Sequence, residues 1–213
     1  MKPWTRLKRP LMIAVLCGTA ITSLQGCVEM AVGSAVVGTL AATDRRTFGA
    51  QTEDKAILFK GETRVPKIVG NAGHVNVTSF NRKVLLTGEV RDEAMKAAVE
   101  REVANIEGVQ SIVNDLEIAP VTSFSARSND SQITGKVKAA FVDAKDLYAN
   151  SIKVVTERGT VYLMGRVTQR EGNLAADVAR GVSGVKKVVK VFEYITEDEL
   201  KQMTRTSDDP NKK

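Results

Sequence analysis

The chain is poor in the side chains that carry most enzyme chemistry. Its 213 residues include one histidine and two cysteines, and aromatic residues make up 5% of the total. No Ser-His-Asp, Cys-His or paired-carboxylate arrangement stands out. His74 has no nearby cysteine or carboxylate pair that could complete a metal site. These shortages argue against an enzyme, and they predict neither a cofactor nor a bound metal.

The N-terminal 26 residues have the layout of an export signal. A basic stretch without acidic residues is followed by an apolar run over 10–21 and then by Leu24-Gln25-Gly26-Cys27. This tetrapeptide resembles the lipobox of bacterial lipoproteins. The resemblance implies cleavage before Cys27 and acylation of Cys27, with palmitate among the chains. Residues 11–43 contain one charged side chain, Glu29, so an uncleaved membrane anchor is the alternative.

The charge of the exported part gives no support for nucleic-acid binding. The formal charge is +6, and the basic residues of the signal supply four of these positive charges. The remainder is close to neutral, with both signs interspersed and no polybasic block. Cys17 leaves with the signal, so no disulfide can form within the exported chain. Its stability must therefore come from hydrophobic cores.

An internal repeat covers most of the remaining chain. Residues 84–90, Val-Leu-Leu-Thr-Gly-Glu-Val, correspond to residues 161–167, Val-Tyr-Leu-Met-Gly-Arg-Val. Matches before and after these segments keep the same order at offsets of 76 or 77, among them Asp54 with Asp130 and Gly108 with Gly184. Two copies of this length indicate duplicated domains and not a solenoid, which needs at least three shorter repeats.

Each copy is predicted to fold in the order α-β-β-α-β, with both helices on one face of a small three-stranded mixed sheet. The fold class is therefore α/β (α+β), and we expect the two copies to pack on each other because each sheet is small. The predicted elements of the first copy are a helix at 52–60, strands at 74–80 and 83–90, a helix at 92–106 and a strand at 109–118. Those of the second copy are a helix at 129–143, strands at 151–156 and 160–167, a helix at 169–181 and a strand at 185–195.

The predicted domains are a signal at 1–26, a lipidated linker at 27–45, a first domain at 46–119, a second at 128–196 after a short linker, and a disordered tail at 197–213.

This repeat is similar to the BON domain. A lipobox followed by two such copies resembles the dual BON-domain outer-membrane lipoproteins of proteobacteria. The segments that carry the resemblance are 41–46 (Ala-Ala-Thr-Asp-Arg-Arg), 128–130 (Ser-Asn-Asp), 154–157 (Val-Val-Thr-Glu), 163–168 (Leu-Met-Gly-Arg-Val-Thr) and 182–186 (Val-Ser-Gly-Val-Lys).

The resemblance implies a non-enzymatic protein of the outer membrane that faces the periplasm. It also implies binding of anionic phospholipid by the first helix of the second copy, enrichment at division sites, a role in envelope integrity and a link to the outer-membrane barrel-assembly machinery. The positions carried over as phospholipid-binding are Gln132, Lys136, Lys138, Val142 and Lys145. Gln132 stands where the relatives have a tryptophan, so an aromatic anchor is missing there.

Two other functions are compatible with the same residues, namely a protein-binding adaptor and a structural spacer. Helix 129–143 could equally be an ordinary domain helix, because Asp130, Asp143 and Asp146 would cancel its lysines. The discriminating feature is whether the outer face of this helix is exposed or is covered by the first copy.

Overall fold

The computed structural model describes residues 44–207, with side chains through residue 203, and this part belongs to the unit that begins at Asp44. The predicted signal, Cys27 and residues 28–43 lie outside the described residues. The first domain consists of α1 (Phe48–Val69), β1 (His74–Phe80), β2 (Lys83–Val90), α2 (Glu93–Ala104) and β3 (Ser111–Ile118). The second consists of α3 (Phe124–Asp143), a 3-10 turn (Ala149–Ser151), β4 (Ile152–Glu157), β5 (Thr160–Val167), α4 (Gln169–Arg180), β6 (Lys187–Lys190) and β7 (Glu193–Tyr194), and α5 (Glu197–Ser207) follows.

The predicted α-β-β-α-β order and mixed sheet are confirmed in both domains. In the first sheet, β1 pairs antiparallel with β2, and β2 pairs parallel with β3. The second sheet repeats this arrangement with β4, β5 and β6. Its last strand is not continuous over 185–195 as predicted. The pairing of β6 with β5 stops after Lys190. It resumes at Glu193, where β7 pairs with β5 in the same register. The intervening residues Val191 and Phe192 are buried in two different hydrophobic clusters, one on each face of the sheet.

One aspartate in each first helix fixes the hairpin of its own domain. The tight turn of the first hairpin has positive φ at Asn81 and Arg82, and that of the second at Arg158 and Gly159. Asp130 accepts hydrogen bonds from the backbone N–H groups of Arg158 and Gly159 at 2.8 and 2.9 Å. Asp54 does the same for the first turn, at 2.7 and 2.8 Å. The repeated aspartates therefore have a structural role, because they satisfy buried turn donors that no strand can reach.

Both first helices are longer than predicted. Helix α1 spans Phe48–Val69, where the sequence analysis predicted 52–60, and α3 spans Phe124–Asp143, where it predicted 129–143. Each helix is capped by a hydroxyl, Thr47 or Ser123, that accepts a hydrogen bond from the N–H group three residues on. The added first turns have few buried side chains, so hydrophobic periodicity does not reveal them.

The predicted disordered tail contains a helix. Residues 197–207 form α5, so the prediction of disorder from residue 197 is wrong for this segment. Thr196 and Glu199 form a reciprocal cap, in which the Glu199 N–H donates to the Thr196 hydroxyl and the Thr196 N–H donates to the Glu199 carboxylate. Acidic residues in the first turn also favour a helix there through the helix dipole.

The two domains pack on each other, as the sequence analysis expected, and the structure shows that they do so sheet against sheet. Alternate residues of the central strands point in opposite directions. Val84 and Leu86 face the helices of their own domain, whereas Leu85 joins Tyr162 and Met164 of the other domain in a shared cluster. The layers are therefore helices, sheet, sheet and helices. Each fully buried side chain of this size contributes about 1.5–3 kcal/mol. Polar pairs border the shared cluster: Tyr162 with Asp115, Asn76 with Glu157, and Asn81 with Glu193.

Candidate functional site

The outer face of α3 is exposed and is not covered by the first domain. On the inner face, Ile133, Val137 and Phe141 are buried in the core of the second domain. On the outer face, Val142 is 72% exposed. All five residues predicted to bind phospholipid are exposed, namely Gln132, Lys136, Lys138, Val142 and Lys145.

The geometry of the helix groups these five residues. Lys138 and Val142 are four residues apart and therefore neighbours on one side of the helix. Gln132 and Lys136 form the corresponding pair on the other side. The surface between the pairs is made by small exposed residues, Gly135 and Ala139 among them. Lys145 follows the end of α3 and extends the basic character beyond it. The helix thus presents a smooth strip bordered by lysines, with an apolar side chain in its last turn.

The local charge balance is more positive than the sequence suggested. Asp130 was expected to offset one of the lysines, but it is 5% exposed and its carboxylate is occupied by the hairpin turn. Asp143 and Asp146 remain on the surface. The lysines at 136, 138 and 145 therefore outnumber the exposed aspartates around them. Within residues 44–207, none of these lysines has a carboxylate within salt-bridge distance.

A pair of arginines just before α1 connects the N-terminus of the described body to both domains. Arg45 reaches the second domain, where its guanidinium donates to both carboxylate oxygens of Glu171 at 2.8 and 2.7 Å. Arg46 reaches the first domain and bonds Asp54 at 2.8 Å. The side chains of Arg45 and Glu171 are 9% and 2% exposed, so this ion pair is buried. We call Arg45 and Glu171 the domain clasp.

The clasp explains the ionisation of Glu171. Burial alone would raise the pKa of this carboxyl group. The hydrogen bonds from Arg45 and from the backbone of Thr168 outweigh burial and lower the pKa below its ordinary value of 4.5. Sequence reasoning missed the clasp, because its partners are 126 residues apart and neither belongs to a periodic pattern. The only sequence signal was the Thr168–Glu171 spacing of a capping box at the start of α4.

The clasp also lies beside an exposed aromatic residue that sequence reasoning missed. Tyr148 follows α3 and is 61% exposed. The guanidinium carbon of Arg45 is 5.5 Å from the centre of its ring, which is within cation–π distance. Tyr148 therefore lies where the N-terminus of the described body meets the C-terminal end of α3.

Helix α1 of the first domain presents a different surface. Phe48 and Phe59 are 85% and 71% exposed. They are eleven residues apart, which corresponds to about three helical turns and places them on the same side of α1. At 1.5 Å rise per residue, the two rings are separated by about 16 Å along the helix.

The described residues offer no arrangement suited to metal chemistry or to spanning a membrane. Within residues 44–207, no group of three or more His, Cys, Asp or Glu side chains could hold a metal ion. His74 is partly buried, and its pKa is lowered by that burial and by the charge of Arg127. Over the same range, every helix is too short or too polar to cross a bilayer.

Comparison with known proteins identifies the family. The BON domain model matches residues 62–120 and 129–196, one match in each of the two domains described above. The outer membrane lipoprotein DolP of Haemophilus influenzae is 42% identical over 186 residues, which cover 86% of this chain and 95% of that protein. A 21 kDa hemolysin of Actinobacillus pleuropneumoniae is 31% identical over 154 residues, covering 71% and 79% of the two chains. The osmotically inducible protein Y of Escherichia coli is 27% identical over 117 residues, or 54% of this chain and 58% of that protein.

The fold and these matches define a protein built from two BON domains. The chain belongs to the dual BON-domain outer-membrane lipoproteins, a family that is not enzymatic. The family defines its general role. It is an outer-membrane lipoprotein that contributes to envelope integrity.

Proposed function

We propose that this protein binds anionic phospholipid through the outer face of α3 while a lipid on Cys27 holds it to the outer membrane. The observation that carries the proposal is the exposure of this face. The surface around Val142, Lys136 and Lys138 is free of contact with the first domain, so a membrane surface can reach it. The alternative that α3 is buried between the two domains does not apply, because the domains meet through their sheets.

The charges of the face favour an acidic surface over a neutral one. Each lysine close to an anionic membrane contributes about 1 kcal/mol. The lysines at 136, 138 and 145 therefore supply about 3 kcal/mol, which is less than the roughly 4 kcal/mol of a 1 mM dissociation constant. Such binding is weak for a free protein. A lipid anchor raises the effective concentration of the face at the membrane to the millimolar range, where weak contacts are sufficient.

Charge reversal on α3 tests this proposal. We expect Lys136→Glu/Lys138→Glu to weaken binding to phosphatidylglycerol vesicles by at least about 30-fold, because each lysine contributes about 1 kcal/mol and the new carboxylates repel the surface. The matched control is Lys55→Glu/Lys67→Glu, which reverses two exposed lysines of α1. Vesicle co-sedimentation of residues 44–213 measures both variants. An equal loss in the two double variants would show that overall charge, and not α3, governs binding.

The proposal also covers the orientation of the protein at the outer membrane and its distribution in the cell. We infer that the folded body faces the periplasm. A chain that is exported and then lipidated at Cys27 would have residues 44–213 on the periplasmic side of the outer membrane. Enrichment at division sites would follow if anionic phospholipid is concentrated there. Fluorescent-protein fusions to the wild-type chain and to Lys136→Glu/Lys138→Glu test this directly. We expect septal enrichment of the wild-type fusion alone. Equal enrichment of both fusions would show that localisation to the division site does not depend on lipid binding by α3.

A second function, docking of a protein partner, is supported by the exposed side of α1. Helices α1 and α3 belong to the two outer helix layers on opposite sides of the paired sheets, and Phe59 lies eleven residues along α1 from the end that adjoins Arg45. We propose the outer-membrane barrel-assembly machinery as the partner.

Substitution of the two phenylalanines tests the second function. Phe48→Ser/Phe59→Ser removes two exposed aromatic side chains from α1 and leaves its buried residues unchanged. Aromatic anchors at interfaces contribute about 2 kcal/mol or more each, so we expect co-purification of the barrel-assembly machinery to fall by more than tenfold. The matched control is Val142→Ser on α3. Undiminished co-purification of the phenylalanine variant would eliminate this surface as the docking site.

A further inference from the structure

Tyr148 is held on a rigid backbone with its ring directed outward. The preceding residue, Leu147, is 9% exposed and belongs to the core of the second domain. The backbone N–H and the hydroxyl of Ser151 both donate to the Tyr148 carbonyl, at 2.9 and 2.7 Å. The backbone on either side is therefore fixed, yet 61% of the side chain remains exposed. A tyrosine with an apolar ring and a polar tip suits the boundary between acyl chains and water.

The N-terminus of the folded body enters beside this ring. Arg45 contacts Tyr148 with its guanidinium, and the clasp to Glu171 holds that guanidinium in place. Arg166 adds a second bond to the same segment by donating to the Arg45 carbonyl at 3.2 Å. Any chain that arrives from Cys27 must therefore reach the folded body at the surface where Tyr148 lies.

The entry point at Asp44 lies on the side of the folded body that is nearest in sequence to the lipid on Cys27. Residues 28–43 separate Cys27 from Asp44, which gives 17 peptide links. A connection of 17 links can extend to at most about 60 Å. A folded body of 164 residues is about 40 Å across, by the usual scaling of the radius of gyration. The side that carries Asp44 therefore needs the least of this reach to contact the bilayer.

The charges and apolar groups on that side are compatible with an acidic bilayer. Val142 and Lys145 lie within six residues of Tyr148, and both are exposed. Asp143 and Asp146 are also exposed there, so the attraction to anionic headgroups is modest and an apolar contribution is needed to complement it.

We propose that Tyr148 is an interfacial anchor of this protein, inserting its ring at the headgroup level of an acidic phospholipid bilayer, next to the point where the tether from Cys27 joins the folded body. The inference rests on the proposed function and deepens it, because it names the end of α3 that approaches the membrane. It orients the body with Val142, Lys145 and Tyr148 toward the bilayer.

Single-tryptophan fluorescence tests this orientation in the full chain. The only tryptophan of the sequence is Trp4, so a Trp4→Phe background provides a chain without tryptophan. Three exposed positions are then replaced one at a time, as Tyr148→Trp, Val142→Trp and, on α1 as the matched control, Phe59→Trp. Each lipoprotein is reconstituted into phosphatidylglycerol-containing vesicles whose acyl chains are brominated near the headgroup. We expect quenching and a blue-shifted emission at positions 148 and 142, and neither effect at position 59.

The three probes separate the inference from the proposed function. Quenching at 142 without quenching at 148 would overturn the role of Tyr148 and leave lipid contact by α3 intact. No quenching at either position would overturn both. Quenching at 148 but not at 142 would support the anchor and remove the face of α3 from the membrane contact. Equal quenching at all three positions would contradict a fixed orientation. Thermal unfolding of each variant, expected to match the parent chain, verifies that the fold is retained.

Discussion

Cys27→Ala is expected to remove the protein from the outer-membrane fraction, because the lipid that would hold it there can no longer be attached. Each buried methylene of an acyl chain contributes about 0.8 kcal/mol, and two acyl signals already give stable anchoring. The lysines of α3 contribute too little to replace this anchor, since about 3 kcal/mol corresponds to a dissociation constant above 1 mM. Fractionation of cells followed by immunoblotting measures the change, which should be close to complete.

Cys17→Ala is the matched control for this experiment. It removes the other cysteine of the chain, within the predicted export signal, and should leave the protein in the membrane fraction. A Cys27→Ala protein that stays in the outer-membrane fraction would refute lipidation at Cys27. The result concerns Cys27 alone and does not depend on whether α3 binds lipid.

Breaking the domain clasp is expected to cause the largest loss of stability. Arg45→Ala leaves the carboxylate of Glu171 buried without its ionic partner, and removal of one member of a buried pair costs about 3–5 kcal/mol. A loss of that size is a large fraction of the 5–15 kcal/mol that typically stabilises a folded protein. Urea unfolding of residues 44–213 at neutral pH measures the difference.

The exposed pair formed by Arg180 and Asp177 is the matched control. Its side chains are 55% and 69% exposed, so Arg180→Ala should change the stability by less than about 1 kcal/mol. The double variant Arg45→Met/Glu171→Met should recover much of the loss, because replacing both members of a buried pair with apolar side chains is often neutral. Equal stability of Arg45→Ala and the parent chain would contradict the clasp.

The effect of Arg45→Ala should also depend on pH. The pKa of Glu171 is lowered in the folded protein, so the pair contributes its full stability above the ordinary glutamate value of 4.5. The contribution is lost as the pH falls through the lowered folded-state pKa. The difference between the parent chain and Arg45→Ala should therefore be large at pH 7 and shrink in strongly acidic solution.

The repeat made most of the fold predictable. The Gly-x-Val strand ends and the glycines at 108 and 184 recur at offsets of 76 or 77, and alternating or helical periodicity defines each element between them. The second helices themselves end earlier than these glycines, at Ala104 and Arg180. The extended starts of α1 and α3 escaped prediction because they depend on single capping hydroxyls, Thr47 and Ser123. Helix α5 escaped because its sequence is highly charged, and its cap at Thr196 is a local hydrogen-bond pattern with no hydrophobic stripe.

The candidate site was only partly predictable for a different reason. The residues of α3 could be named from the resemblance, and their exposure required the structure. The clasp and Tyr148 depend on contacts between residues more than 100 positions apart, which no local pattern encodes. The burial of Asp130 was likewise hidden, because the sequence shows a charge and not the turn that its carboxylate binds.

The central claim is that the folded body itself recognises acidic phospholipid. Co-sedimentation of residues 44–213, without the lipid anchor, with vesicles that contain or lack cardiolipin or phosphatidylglycerol tests it most directly. We predict binding that requires the acidic lipid, weakens from low to physiological salt, and is lost in Lys136→Glu/Lys138→Glu. Absence of binding to acidic vesicles at low salt would contradict the claim, and it would leave Cys27 as the membrane contact and a protein partner as the target of the folded body.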